Sequence, residues 1–188
     1  MKKAMIAILI VTVTASAFAQ SITVASDRNV DADFSKYKTF YWSTQVDNKL
    51  DEGVYFLNDL LFKGQVREAV KAEMMGLGYK LQPGTPDLIV NFRVFDKKTT
   101  LKGADSYGAG YWGPQSYRDI SDTFTHEVEP GTLLISLIDR QKGQIVWHGF
   151  ASGLINNDQF IKDEGKVREA VNLIFDEYGF RAREYSRK

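Results

Sequence analysis

Two stretches of this 188-residue chain nearly repeat each other. Gly64-Gln65-Val66-Arg67-Glu68-Ala69-Val70 and Gly165-Lys166-Val167-Arg168-Glu169-Ala170-Val171 agree at six of seven positions. Each opens a run with apolar residues at helical spacing. The first is Val66, Ala69, Val70, Met74 and Leu77, broken only by Glu73; the second is Val167, Ala170, Val171, Ile174, Phe175 and Tyr178. A helix with one apolar stripe has to bury it. Two helices with the same stripe need one broad apolar surface, and a β-sheet supplies it. The strands that flank the two runs do not echo each other. Shared packing on one sheet therefore explains the repeat better than a duplicated half-domain. It predicts helices of equal length with the same buried face. The first helix is expected to start between Asn58 and Gly64 and end near Leu77, with Gly78 as a left-handed cap. The second is expected over Asp163 to Tyr178.

The sheet can be read from the rest of the chain. Ile22 to Ala25 and Thr39-Phe40-Tyr41-Trp42 are β-branched and aromatic. Tyr79 to Leu81 is a short strand, and Asp87 to Lys97 alternates apolar Leu88, Val90, Phe92 and Val94 with a mixed second face. Asp122 to Glu129 alternates again and meets Pro130-Gly131, where a bend is expected. Thr132 to Asp139 and Gln144 to Ser152, joined by Arg140-Gln141-Lys142-Gly143, form the clearest β-hairpin. The fold class is therefore α+β: a two-layer sandwich whose mixed, mainly antiparallel sheet has about five strands, with both helices on one face.

The first nineteen residues carry an address rather than a fold. Lys2 and Lys3 precede the apolar run Ala4 to Val13, and Ala17-Phe18-Ala19 is a small-x-small cleavage site. The run is too short to span a hydrocarbon core of about 30 Å comfortably. Residues 1–19 are expected to be a signal peptide cut after Ala19, leaving 20–188 as a single domain in the periplasm or outside the cell. No cysteine is present to take a lipid anchor. No later segment is apolar enough for a helical transmembrane span.

Composition narrows the chemistry. Without cysteine there is no disulfide, thiolate zinc site or thiol nucleophile, and two histidines build no His-rich metal centre. With 24 Lys and Arg against 24 Asp and Glu, the chain lacks the cationic excess of a nucleic-acid binder. There is no G-x-S-x-G elbow. A Ser-His-Asp set would have to use His126 or His148, both at strand positions that suit structural roles. Asp27, Asp31 and Asp33 lack calcium-loop spacing and read as turn formers. The G-x-G-x-x-G at Gly108, Gly110 and Gly113 does not lead from a strand into a helix, so it does not indicate nucleotide binding. No catalytic, cofactor or metal residues are assigned.

The segment 102–117 (KGADSYGAGYWGPQSY) is the exception. It is rich in glycine, has no helical or strand period, and holds Tyr107, Tyr111, Trp112 and Tyr117. It reads as a loop. Aromatic rings with one polar edge suit protein interfaces and sugar contacts, so these four are the candidate interaction residues.

Four blocks of the sequence together resemble a bacterial family, the domain of unknown function 4136. They are Ala32 to Trp42, Pro86 to Phe92, Gly131 to Leu134 with Asp139, and Gly143 to Gly153 with Val146-Trp147. The resemblance spans Ile22 to Tyr178. It implies a secreted envelope protein, commonly a lipoprotein with a Gly- and aromatic-rich insertion at this place. The missing acylated cysteine departs from that pattern. The resemblance implies no activity and no catalytic residue. The expected function is a non-enzymatic envelope module, not an enzyme. It would bind an unidentified envelope protein or glycan through the exposed side of the sheet and the aromatic loop, and no nucleic acid. The alternatives are an envelope-polymer hydrolase using paired carboxylates, and a carrier of a small ligand between sheet and helices.

Overall fold

Six strands form the main sheet of the computed structural model, which describes residues 21–43, 60–103, 124–157 and 159–182. In chain order the elements are β1 (Thr23–Arg28), β2 (Thr39–Trp42), α1 (Leu60–Gly76), β3 (Lys80–Leu81), β4 (Leu88–Phe95), β5 (Thr99–Gly103), β6 (Phe124–Val128), β7 (Thr132–Asp139), β8 (Gln144–Ser152), β9 (Ile155–Asn156), β10 (Gln159–Phe160) and α2 (Glu164–Asp176). The main sheet runs β1-β8-β7-β4-β2-β3. β2 is parallel to both its neighbours, and the other pairs are antiparallel. The expected mixed α+β sandwich is present, with one strand more than anticipated. The expected signal peptide, residues 1–19, lies outside the described residues.

Both helices pack on one face of the sheet. Val66, Val70 and Met74 from α1 and Val167, Val171 and Ile174 from α2 are all fully buried, against Phe40, Leu88, Val94, Leu133, Ile135 and Leu137 of the strands. Each such side chain contributes roughly 1.5–3 kcal/mol relative to an exposed one. The shared stripe is thus as expected, but the lengths are not: α1 has 17 residues and α2 has 13. α2 starts sharply at Asp163, whose Oδ1 accepts from the Lys166 amide at 3.0 Å. The helices touch through Asn172, whose side-chain amide donates to Glu73 Oε1 at 3.1 Å. This accounts for the one polar residue in the stripe of α1. Arg67 lies over the Trp42 ring at 4.9 Å and ties α1 to β2.

α1 ends where the sequence places its cap. Gly78 has φ +91°, and the amides of Gly78 and Tyr79 return to the carbonyls of Met75 and Met74, each at 3.0 Å. This is a Schellman closure. At the other end of the core, β7 and β8 carry a bulge. Leu137 pairs with Trp147 and Ile138 with Ile145, so Val146 is the extra residue. Val146 and Trp147 are consecutive and both buried in the helix-side core for that reason. The Trp147 ring meets Tyr178 edge-on at 5.0 Å and crosses above Gly149.

Candidate functional site

The strands next to the candidate aromatic segment leave the main sheet. β4 and β7 pair as far as Phe95 and Thr132; the same two segments then pair again as β5 and β6, from Thr99–Val128 to Gly103–Phe124, in a separate two-stranded sheet. Gly131 makes the corner. Its amide donates to the Phe95 carbonyl at 2.7 Å, its φ is +75°, and a Cβ there would meet Leu154 and Ile155 at under 3 Å. The Thr132 hydroxyl closes the turn on the Glu129 carbonyl at 2.7 Å. Pro130-Gly131 is therefore a bend between sheets, as expected, and not a hairpin turn. Across the ribbon, Lys98 Nζ meets Glu127 at 3.2 Å and Glu129 at 3.0 Å, and hydrogen bonds to both carboxylates, Glu129 foremost, hold its pKa up. Beside the corner, Phe95, Val128, Leu134 and Phe150 form a second apolar cluster on the sheet face away from the helices.

The segment 104–123 joins β5 to β6 and lies outside the described residues, and Tyr107, Tyr111, Trp112 and Tyr117 lie with it. Lys102 and Gly103, read as the start of that loop, instead pair with Thr125 and Phe124. The glycine-rich composition hid them, whereas Thr99-Thr100-Leu101 carried the β signal.

The expected open side of the sheet needs a correction. On the face away from the helices, Ile89 is 5% exposed, Leu134 2%, Ile138 0% and Phe150 3%. Every residue of β7 is buried. With apolar residues on both faces, β7 has no side suited to water. Ser136 and His148 share that second face and are paired with each other: Ser136 Oγ and His148 Nδ1 are 3.0 Å apart. With Ser136 1% and His148 8% exposed, this pair satisfies itself inside the protein and presents no nucleophile at the surface.

Two inner carboxylates, Asp139 and Asp87, are also committed to structure, whereas the buried Oδ1 of Asp96 has no hydrogen-bond partner among the described residues. Asp139 accepts from the Tyr37 hydroxyl at 2.9 Å and from the amides of Gln141 and Lys142 at 2.8 and 3.0 Å. Asp87 Oδ2 accepts from the amides of Lys38 and Thr39 and from the Thr39 hydroxyl, at 2.9 to 3.0 Å. Among the described residues no three His, Cys, Asp or Glu side chains are grouped to hold a metal. Asp33 caps a single turn at Ser35 and is a turn former, as read, but Asp27 is not: it lies within β1 opposite His148, where its Oδ1 accepts from the Arg28 amide at 2.8 Å.

A cleft of about 370 Å³ opens beside the outer strand, and sequence reasoning did not find it. Arg28, Asn29, Asp33, Phe34, Phe180 and Arg181 are among its lining residues. The rings of Phe34 and Phe180 stack at 3.9 Å, and the Arg28 guanidinium lies over Phe180 at 5.6 Å. Its two halves are far apart in the chain, and only the fold brings them together. The one hint was that Phe180 follows α2 as Tyr79 follows α1.

The family model for Domain of unknown function (DUF4136) matches residues 24–178. The chain belongs to this family. A crystal structure of a DUF4136 family protein from Bacteroides thetaiotaomicron is similar, at TM-score 0.56 and 16% identity, over 87% of this chain and 98% of that one. This likeness shows the fold. A PDZ domain protein from Parabacteroides distasonis matches at TM-score 0.49 and 19% identity, over 88% of this chain and 37% of that one. A PelC dodecamer from Paraburkholderia phytofirmans matches at TM-score 0.43 and 10% identity, over 87% of this chain and all of that one. No curated protein matches the chain. Among the described residues of this DUF4136 domain, no helix is long and apolar enough to cross a membrane.

Proposed function

We propose that this DUF4136 protein is a non-enzymatic interaction module of the cell envelope. It is exported by residues 1–19 and engages a protein or glycan through Tyr107, Tyr111, Trp112 and Tyr117. The observation that carries the reading is the β5–β6 ribbon. It departs from the main sheet at a fixed corner and holds both ends of the aromatic segment on one paired strand end, Gly103 opposite Phe124. Binding segments are commonly displayed in this way, on a rigid scaffold. Support also comes from the inner polar groups. Ser136, His148, Asp87 and Asp139 are occupied with one another or with neighbouring groups of the fold, which favours a binding role over a hydrolytic one. The interface between sheet and helices is filled by side chains such as Val70, Ile135 and Val171, which favours surface binding over carriage of a ligand inside.

The test compares the mature protein with a variant carrying Tyr111→Ala and Trp112→Ala in pull-downs from envelope extract. The expected result is a partner retained by the first and lost by the second, with unfolding midpoints unchanged. Recovery of the same partners by both removes the segment as the site. Mass spectrometry of the protein from its own cell envelope checks export: the expected N-terminus is Gln20.

A further inference from the structure

The cleft beside β1 has a chemical bias of its own, independent of the aromatic segment. Its cations are uncompensated. Neither Arg28 nor Arg181 has a carboxylate partner among the described residues, and both are exposed. The acid in the lining is already engaged. Asp33 Oδ1 accepts from the Ser35 hydroxyl at 2.6 Å and amide at 3.2 Å, its Oδ2 faces Lys36 Nζ at 3.4 Å, and the Ser35 hydroxyl leads in holding its pKa low. Asn29 Oδ1 accepts from the Asp31 amide at 2.9 Å, so its NH2 is what remains for a ligand. The Ser35 hydroxyl, whose proton goes to Asp33, keeps lone pairs that can accept, so the cleft combines two cations with one neutral donor and one neutral acceptor.

That bias selects a ligand class. A guanidinium presents a rigid fork that matches carboxylate or phosphate oxygens, and Arg28 is held against an aromatic ring. A nucleobase needs an open ring face, and Phe180 has Phe34 on one side and Arg28 on the other. Sugar hydroxyls can accept from Asn29 and donate to the Ser35 oxygen, and about 370 Å³ lies within the usual volume range of small-ligand sites. We propose that this cleft binds an anionic sugar, its carboxylate or phosphate held between Arg28 and Arg181.

The test is titration of the full mature protein with glucuronate, glucose 1-phosphate and glucose, followed by amide chemical shifts. At least one of the anionic sugars is expected to shift Arg28, Asn29 and Phe180 saturably, and which one does so names the anion. Glucose is expected to leave them in place. Arg181→Gln, which touches no aromatic stack, is expected to weaken binding about tenfold, equal to about 1.4 kcal/mol. Arg28→Gln is expected to do the same, with its fold checked by thermal unfolding. Arg168→Gln, whose parent side chain pairs with Glu164 at 2.7 Å on α2, is expected to leave binding unchanged. The proposal is overturned if neither anionic sugar binds, if glucose binds equally well, if Arg181→Gln has no effect, or if an acidic tetrapeptide binds more tightly than either sugar.

Discussion

The hydroxyl of Tyr37 donates a 2.9 Å hydrogen bond to Asp139, 102 residues further along the chain, in the interior of the protein. The same carboxylate accepts the amides of Gln141 and Lys142, so one side chain fixes both the β7–β8 turn and the approach to β2. Tyr37→Phe keeps the ring and its edge-on contact with Phe34 at 5.9 Å but removes the donor. A buried acceptor left short of a partner costs about 1–3 kcal/mol. Urea unfolding of Tyr37→Phe is expected to show a loss of that size. A loss under about 0.5 kcal/mol, within the range of ordinary surface substitutions, would mean that the turn amides alone satisfy Asp139.

Tyr37 belongs to a set of tyrosines that make the fold sensitive to alkali. Burial pushes the phenol pKa of Tyr178 and Tyr37 far above the ordinary value of 10.0, and that of Tyr79 upward as well. The hydroxyls of Tyr79 and Tyr178 share a hydrogen bond at 2.9 Å. Unfolded tyrosine loses its proton near pH 10, while the folded protein keeps it there. The folded state then binds more protons, so stability falls as pH rises. The contribution of these groups is complete below about pH 10 and is lost as pH climbs from there toward the folded-state values. Urea midpoints measured at pH 8, 10 and 11 are expected to fall, most steeply over the last step. Tyr178→Phe is expected to lower the midpoint at pH 8 and to flatten the later drop. An unchanged slope in that variant would assign the alkaline loss to other groups.

The parts of the fold legible in the sequence were those set by local rules. The stripes of α1 and α2, the turn before Gly143 and the cap at Gly78 each depend on residues a few positions apart. The departures arise where long-range pairing decides. β5 was hidden because Lys102-Gly103 sits in a glycine-rich stretch, yet Phe124 and Thr125 supply the partners. The second face of β4 looked half-polar in isolation. Only its neighbours, with Leu134 and Ile138 opposite Arg93 and Ile89, bury Ile89 and Phe95 there, while Asn91 and Arg93 stay half-buried. The cleft escaped for the same reason, since Arg28 and Phe180 meet only after β1 and the end of α2 are placed.

Gly149 shows how tightly the sheet and helix layers meet. It has no positive φ to require glycine. A Cβ at this position would instead run into the Trp147 ring and the Ile174 side chain. Trp147 is 2% exposed and packed against Phe175 and Tyr178, so it has no room to withdraw. Overpacking of a closed core costs about 1–3 kcal/mol. Gly149→Ala is expected to fall at the upper end of that range in urea unfolding, with loss of near-ultraviolet dichroism from Trp147. A neutral Gly149→Ala would show that α2 can lift off the sheet without penalty.

The two ends of α1 make a paired prediction with opposite signs. Gly64 lies inside the helix, is exposed, and would have nothing within 4 Å of an added Cβ. Alanine there loses less backbone entropy on folding, so Gly64→Ala is expected to stabilise by about 0.5–1 kcal/mol. Gly78 lies just past the helix at φ +91°, and its added Cβ would stand 3.2 Å from the Ala182 carbonyl oxygen. An L-residue in the left-handed region costs about 1–2 kcal/mol before that contact is counted. Gly78→Ala is therefore expected to destabilise by at least that amount. It would also loosen the segment after α2, because the Ala182 amide donates to the Leu77 carbonyl at 3.0 Å. Hydrogen exchange at Ala182 separates the two effects. Faster exchange in Gly78→Ala, with none in Gly64→Ala, is the expected pattern. Equal exchange in both would confine the cost to the cap and detach it from the chain that carries Phe180 and Arg181.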